Sequence, residues 1–134
     1  MRWTLCAWVL CAALGGCASS STLPEAPEAE ADTCPAGKLA FTRATACQND
    51  GSVELCLPRD AQVVERVRAL APELRGPMGS SGRARCDLTK EDLYFFPMPE
   101  ACRETRELPE ETWETLGRIA ADPAVRCIVP TWYE

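Results

Sequence analysis

Six cysteines in the last three-quarters of this 134-residue chain constrain its fold more than any other feature. They are Cys34, Cys47, Cys56, Cys86, Cys102 and Cys127. An even number of cysteines in a short exported chain is typical of a disulfide framework. We therefore predict three disulfides, each of which stabilises a small domain by about 2–4 kcal/mol.

Structural zinc and thiol redox chemistry are competing uses of these cysteines. Both usually need a close pair such as C-x-x-C, but the nearest two, Cys47 and Cys56, have eight residues between them. The chain also contains no histidine. We therefore expect neither a metal nor a cofactor.

Six cysteines can pair in fifteen ways, and the sequence argues against the bond Cys47–Cys56. Asn49-Asp50-Gly51 is typical of a hairpin turn, which would place Cys47 and Cys56 diagonally at about 7–8 Å. A disulfide needs Cβ atoms about 3.8 Å apart. Each of these two cysteines should therefore bond another partner, and Cys34 is a candidate for one of them.

The amino end has the plan of a secretory signal. Met1-Arg2 gives a positive start, and an almost wholly apolar run follows over residues 3–14. As a helix, this run of about 12 residues extends roughly 18 Å, whereas crossing the hydrocarbon core takes about 20 residues. We expect a signal segment over residues 1–16 rather than a permanent transmembrane helix.

The residues that end this segment, Leu14-Gly15-Gly16-Cys17, resemble the lipobox of bacterial lipoproteins. The resemblance covers residues 1–17 and implies cleavage before Cys17, a diacylglyceryl group on its thiol, and a further acyl chain such as palmitate on the new amino terminus. Ala18 at the next position favours the outer membrane. The alternative is that Cys17 is only the last small residue of a plain signal.

The stretch that follows, residues 17–33, is predicted to be a disordered tether after the lipidated cysteine. It is small, polar and spaced by prolines, and its charged residues are all acidic. Fully stretched, residues 18–33 would span at most about 55 Å. The alternative is that residues 28–33 dock on the domain as an extra strand.

Residues 34–134 are predicted to form one α+β domain, a small and mainly antiparallel sheet with two helices on one side, stapled by three disulfides. Apolar and aromatic patterns predict strands at residues 38–42, 53–57, 92–97 and 125–130. Helical spacing predicts a first helix capped by Asp60 and ended by Pro72. A second helix should begin at Pro109 and bury Trp113, Leu116, Ile119 and Ala120. In the last strand, Val125, Cys127 and Val129 should share a face.

The sequence contains few groups that are typical of a catalytic site. There is no imidazole and no G-x-S-x-G, and the glycine-rich loop at residues 75–83 lacks the lysine of a phosphate-binding loop. A carboxylate-based hydrolase would have to use acidic residues that cluster in sequence: Asp87, Glu91, Asp92, Glu100 and Glu104. The net charge of −6 disfavours nucleic acid as a partner.

Two binding functions remain, and neither is enzymatic. The first is a lipid-anchored envelope domain that binds a protein or glycan, or serves structurally, with Trp132 and Tyr133 as a candidate surface. These residues, with Trp113 and the aromatics of 94–96, could instead complete the core. The second is an inhibitor or ligand-binding module that acts through the loop at residues 76–83.

Overall fold

The computed structural model describes Cys34, residues 36–48 and residues 51–131. The strands are β1 (Ser52–Pro58), β2 (Arg75–Met78), β3 (Glu91–Pro97) and β4 (Ile128–Pro130). The helices are α1 (Ala61–Leu70), α2 (Glu100–Glu104) and α3 (Glu110–Ala121), and a short 3-10 turn spans Ala46–Gln48. The predicted α+β class is confirmed, and α2 adds a short third helix to the two that were expected.

The four strands form one antiparallel sheet in the order β2-β3-β1-β4. β1 is central, because it pairs with β3 along its whole length and with β4 over three residues. β2 pairs less regularly with β3, where Arg75 lies opposite Phe95 and Met78 lies opposite Leu93. A single parallel bridge joins Leu39 to Ile128 at the other edge.

One face of the sheet packs against α1 and α3 and holds the larger hydrophobic core. Val53, Leu55 and Leu57 project from β1 into this core, as their alternation predicts. Val63 and Val67 of α1 fill it together with residues of α3. We call this the helix side of the sheet.

The starts of both long helices and the end of α1 agree with the sequence. The Asp60 side chain accepts the backbone N–H of Gln62 and caps α1, which ends at Leu70, two residues before Pro72. Pro109 is the residue just before α3. In α3, Leu116, Ile119 and Ala120 are buried, whereas Trp113 is only half-buried.

The other face of the sheet is covered by the segment between β2 and β3, residues 79–90. A second, smaller cluster lies beneath this segment and comprises Cys56, Ala84, Cys86, Leu93 and Val129. Phe95 and Cys127 pack against it. We call this the loop-covered face, and it explains why β1 is buried on both sides.

The six cysteines form three disulfides, Cys34–Cys127, Cys47–Cys102 and Cys56–Cys86. The predicted number is confirmed, and Cys47 and Cys56 do bond different partners. The suggestion that Cys34 takes one of them is wrong, because Cys34 bonds Cys127, 93 residues away.

Four local predictions are wrong. Residues 44–48 do not pair with β1 in the predicted hairpin, because residues 46–48 form a 3-10 turn and β1 pairs with β3 and β4 instead. Residues 38–42 contribute only the bridge at Leu39 rather than a strand. Residues 75–83 were expected to be a loop, but their first four residues, Arg75–Met78, form strand β2. The last strand begins only at Ile128, and so Val125 enters the larger core while Val129 lies in the smaller cluster.

Candidate binding surface

A buried carboxylate holds the covering segment onto the loop-covered face. The side chain of Glu54, in the middle of β1, has Oε2 at 2.6 Å from the backbone nitrogen of Arg83 and 3.1 Å from that of Ala84. The residue is only 3% exposed. Burying a carboxylate is costly unless hydrogen bonds satisfy it, and here two backbone N–H groups donate to the same oxygen.

Gly82 and the disulfide Cys56–Cys86 complete this attachment. Gly82 has a φ of +59°, and a Cβ atom at this position would overlap Glu54 Oε2 and lie 2.6 Å from Leu93 Cδ2. Only a glycine therefore lets the backbone approach the carboxylate this closely. Cys86 bonds Cys56 of β1, and the segment is thus fixed at two points, 82–84 and 86.

The loop predicted as a binding element, residues 76–83, consists of three parts with different surroundings. Its first residues belong to β2, its last are held by Glu54, and Gly79, Ser80 and Ser81 between them are exposed. A Cβ atom at Gly79 would have nothing within 4 Å. Residues 79–81 therefore form an exposed tip, and the sequence did not show that the loop is fixed on both sides of this tip.

Basic and apolar side chains cover the outside of this region. Arg75, Arg83 and Arg85 are exposed. Met78 and Leu88 are 37% and 41% exposed, and they are the exposed large hydrophobic residues of the described part of the chain. The loop predicted to bind, residues 76–83, includes Met78 and Arg83 but not Arg75, Arg85 or Leu88. The signal for the wider basic surface is the run from residue 75 to residue 86, which contains three arginines and no acidic residue.

The acidic residues near this segment are held in ion pairs. Asp92 pairs with Arg59, Glu91 with Arg126, and Asp87 with Lys90. The pKa of Asp87 is lowered, first by its side-chain hydrogen bond from Thr89 and then by the backbone N–H of the same residue. Each of these three carboxylates therefore has an arginine or lysine side chain beside it.

Glu100 and Glu104, the other two members of the predicted acidic cluster, lie apart from this group. They belong to α2, whose buried residue Cys102 is part of the larger core on the helix side of the sheet. The acidic residues that cluster in sequence therefore divide between the two sides of the sheet.

The aromatic residues do not form a common platform in the described structure. Tyr94 and Phe96 are buried in the larger core, whereas Phe95 points to the loop-covered face. Trp113 packs edge-on against Phe41, with 6.3 Å between ring centroids. Trp132 and Tyr133 lie outside the described residues, as do Cys17 and the predicted tether.

The described residues contain one group with metal-ligand spacing, formed by Cys56, Cys86 and Glu91. The two sulfur atoms are bonded to each other, and a disulfide does not offer the thiolates that bind zinc. Glu91 is also paired with Arg126. This group therefore serves the attachment of the covering segment and not a metal.

Two adjoining surface depressions of about 450 Å³ and 390 Å³ lie at the 3-10 turn, and both are lined by Ala44 and Arg106. The arginines there have structural partners. Arg43 pairs with Glu110 and donates to the carbonyl oxygen of Leu108, and Arg106 donates to that of Cys47. We assign these depressions no ligand.

Comparison with protein-family models, with curated proteins and with solved structures gave no match. None of the helices within the described ranges has the length and apolar character needed to cross a membrane. A function must therefore be argued from the residues of this chain.

Proposed function

We propose that the chain is a lipid-anchored protein of the bacterial cell envelope, attached to the outer membrane through Cys17. The observation that carries this proposal is Leu14-Gly15-Gly16-Cys17 directly after a short apolar run. Several acyl chains on one residue hold a protein firmly, because each buried methylene contributes about 0.8 kcal/mol.

The cysteine pairing supports this proposal. All six cysteines after residue 33 are used in disulfides, and Cys6 and Cys11 lie in the segment that would be removed. Cys17 is then the one cysteine of the proposed mature chain that these three disulfides do not use. Disulfides also persist mainly in oxidising compartments such as the periplasm.

The domain itself is proposed to be a binding or structural module rather than an enzyme. The chain has no histidine, and the carboxylates of residues 87–92 are held by arginine or lysine side chains. Its partner would be an envelope protein or a glycan, in addition to the bilayer.

A second candidate function is inhibition or ligand binding through residues 76–83. The observation that favours it is the exposed tip at residues 79–81, which is fixed on one side by β2 and on the other by Glu54. A short exposed segment on a rigid frame loses little conformational entropy on binding. Protection of this tip from limited proteolysis by an envelope extract would support this candidate, and unchanged cleavage would count against it.

The lipid anchor is tested by the intact mass of the protein extracted from its native membranes. We expect a mass that begins at Cys17, carries acyl chains, and gains six alkylated thiols only after reduction. A Cys17→Ser chain behind a plain secretory signal should appear in the soluble fraction. The matched control, Cys6→Ala behind the native signal, should stay in the membrane fraction. A Cys17→Ser protein that still sediments with membranes would contradict the proposal.

A further inference from the structure

The loop-covered face combines positive charge with exposed apolar side chains. Arg75, Arg83 and Arg85 are exposed, and Met78 and Leu88 add apolar surface between and beside them. The Arg126 guanidinium lies at the same place, 3.3 Å from the carbonyl oxygen of Arg85. Basic residues beside exposed apolar ones are the combination that binds the interface of an anionic membrane.

These residues lie on one side of the sheet. Arg75 is opposite Phe95 and Met78 is opposite Leu93, and residues that are directly opposite in antiparallel strands point to the same face. Leu93 belongs to the smaller cluster, and Phe95 packs against it. The covering segment itself supplies Arg83, Arg85 and Leu88, so that both groups share the loop-covered face.

The helix side of the molecule has the opposite charge. The segment of residues 100–114, which contains α2 and the start of α3, has six glutamates and only two arginines. Buried residues of both helices lie in the larger core, on the far side of the sheet from the covering segment. The molecule is thus polarised across its sheet, and an anionic surface would attract one side and repel the other.

The chain enters the domain on the basic side. Cys34, the first described residue, bonds Cys127, and Cys127 packs against the smaller cluster. Cys34, where the tether would join the domain, is therefore bonded to a residue of the loop-covered face that directly follows Arg126. A tether that is attached near the loop-covered face favours the approach of that face to the bilayer.

We propose that the loop-covered face binds the surface of an anionic phospholipid membrane, through Arg75, Arg83, Arg85, Met78 and Leu88. The proposal rests on the lipid attachment at Cys17, which would hold the domain within about 55 Å of the headgroups. Each exposed arginine raises partitioning to an anionic surface about fivefold, so that the contact is weak for a free domain but substantial for a tethered one.

The test uses the mature Cys17→Ser chain without acyl groups, and its result therefore does not depend on the lipid anchor. Binding is measured by co-sedimentation with vesicles of phosphatidylcholine alone or mixed with phosphatidylglycerol. We expect binding to the mixed vesicles at low salt and its loss at high salt. Arg83→Gln with Arg85→Gln should lower the partition coefficient, by at most roughly 25-fold.

The matched control is Arg103→Gln with Arg118→Gln, which changes the net charge equally on the helix side and should leave binding unchanged. Circular dichroism and the melting temperature check that both variants are folded. Equal binding to both kinds of vesicle, or equal loss in both variants, would overturn the proposal. Salt-sensitive dimerisation without vesicle binding would also overturn it and would identify a second copy of the chain as the partner.

Discussion

Gly82 shows how one residue determines whether the covering segment can reach β1. Its φ of +59° is a conformation that residues with a side chain rarely adopt, and a Cβ atom would overlap Glu54 Oε2. The same backbone approach gives Glu54 its two hydrogen bonds from Arg83 and Ala84. The glycine and the buried carboxylate therefore depend on each other.

We expect Gly82→Ala to lower the free energy of unfolding by about 1–3 kcal/mol. The added methyl group strains the backbone and displaces the Glu54 carboxylate. Gly79→Ala is the matched control, since nothing lies within 4 Å of its Cβ position and its backbone is not in the left-handed region. It should change stability by less than about 1 kcal/mol. Urea unfolding of both variants measures the difference, and equal stabilities would contradict the account.

The burial of Glu54 was not predicted, for a physical reason. In a strand where apolar residues alternate with Glu54 and Cys56, the pattern predicts that the second face is open to water. Cys56 was the signal that could have corrected this, because a disulfide-bonded cysteine on that face indicates that another segment of the chain covers it. Which segment covers it depends on the pairing with Cys86, and the sequence does not determine the pairing.

At the scale of elements, Asp122 joins α3 to α1. It follows the last residue of α3, and its carboxylate receives two hydrogen bonds from the Arg66 guanidinium of α1, at 2.6 Å and 3.1 Å. The N–H of Ala124 donates to the same carboxylate, and Lys38 Nζ donates to the backbone carbonyl. The pKa of Asp122 is lowered, first because of the hydrogen bond from Arg66, whereas burial opposes the shift.

A lowered pKa in the folded protein means that Asp122 stabilises the fold in its ionised form. This contribution is complete above the ordinary aspartate pKa of about 3.9 and declines as the pH falls from there through the lower pKa of the folded state. We therefore expect Asp122→Asn to be less stable than the wild type at pH 7, by about 2 kcal/mol. The difference should narrow below about pH 4.

Thermal unfolding over a pH series tests this expectation. Glu114→Gln is the control, because it removes a carboxylate from an exposed ion pair with Arg118 on the same helix. Exposed pairs contribute about 0–1 kcal/mol, and its pH profile should follow the wild type. A constant difference between Asp122→Asn and the wild type across the acid range would contradict the assignment.

The elements that the sequence predicted well are those with strong local signals. α1 has the cap Asp60 and is followed by Pro72, α3 follows Pro109, and β3 is a run of aromatic residues. β2 was missed because Gly76 and Pro77 are typical of loops, and pairing with β3 makes this segment a strand. The hairpin at residues 49–51 was wrong because β1 is extended but takes its partners from distant parts of the chain.

At the scale of the whole molecule, the disulfides join parts of the chain that secondary structure leaves separate. Cys47–Cys102 connects the 3-10 turn to α2, and Cys56–Cys86 connects β1 to the covering segment. Cys34–Cys127 connects the start of the domain to the residue before β4. The sequence separations of these pairs are 55, 30 and 93 residues.

We expect replacement of any one pair by two alanines to lower the free energy of unfolding by about 2–4 kcal/mol. Full reduction should unfold the domain, since a domain of this size has about 5–15 kcal/mol of stability in total. Peptide mapping without reduction checks the pairing, and circular dichroism with and without a reductant checks the fold. A reduced chain with an unchanged melting temperature would contradict this role of the disulfides.

The bond between Cys34 and Cys127 determines when the disulfides of an exported chain can all be formed. If the amino end leaves the membrane first, Cys34 emerges before every other cysteine of the domain, while its partner emerges last. In such an export, the thiol of Cys34 would meet the four incorrect cysteines of the domain before Cys127. The central strand β1 likewise cannot complete its pairing until β4, the last strand of the chain, has emerged. If the chain is exported as we propose, its folding should therefore depend on an enzyme that rearranges disulfides, and not only on one that forms them.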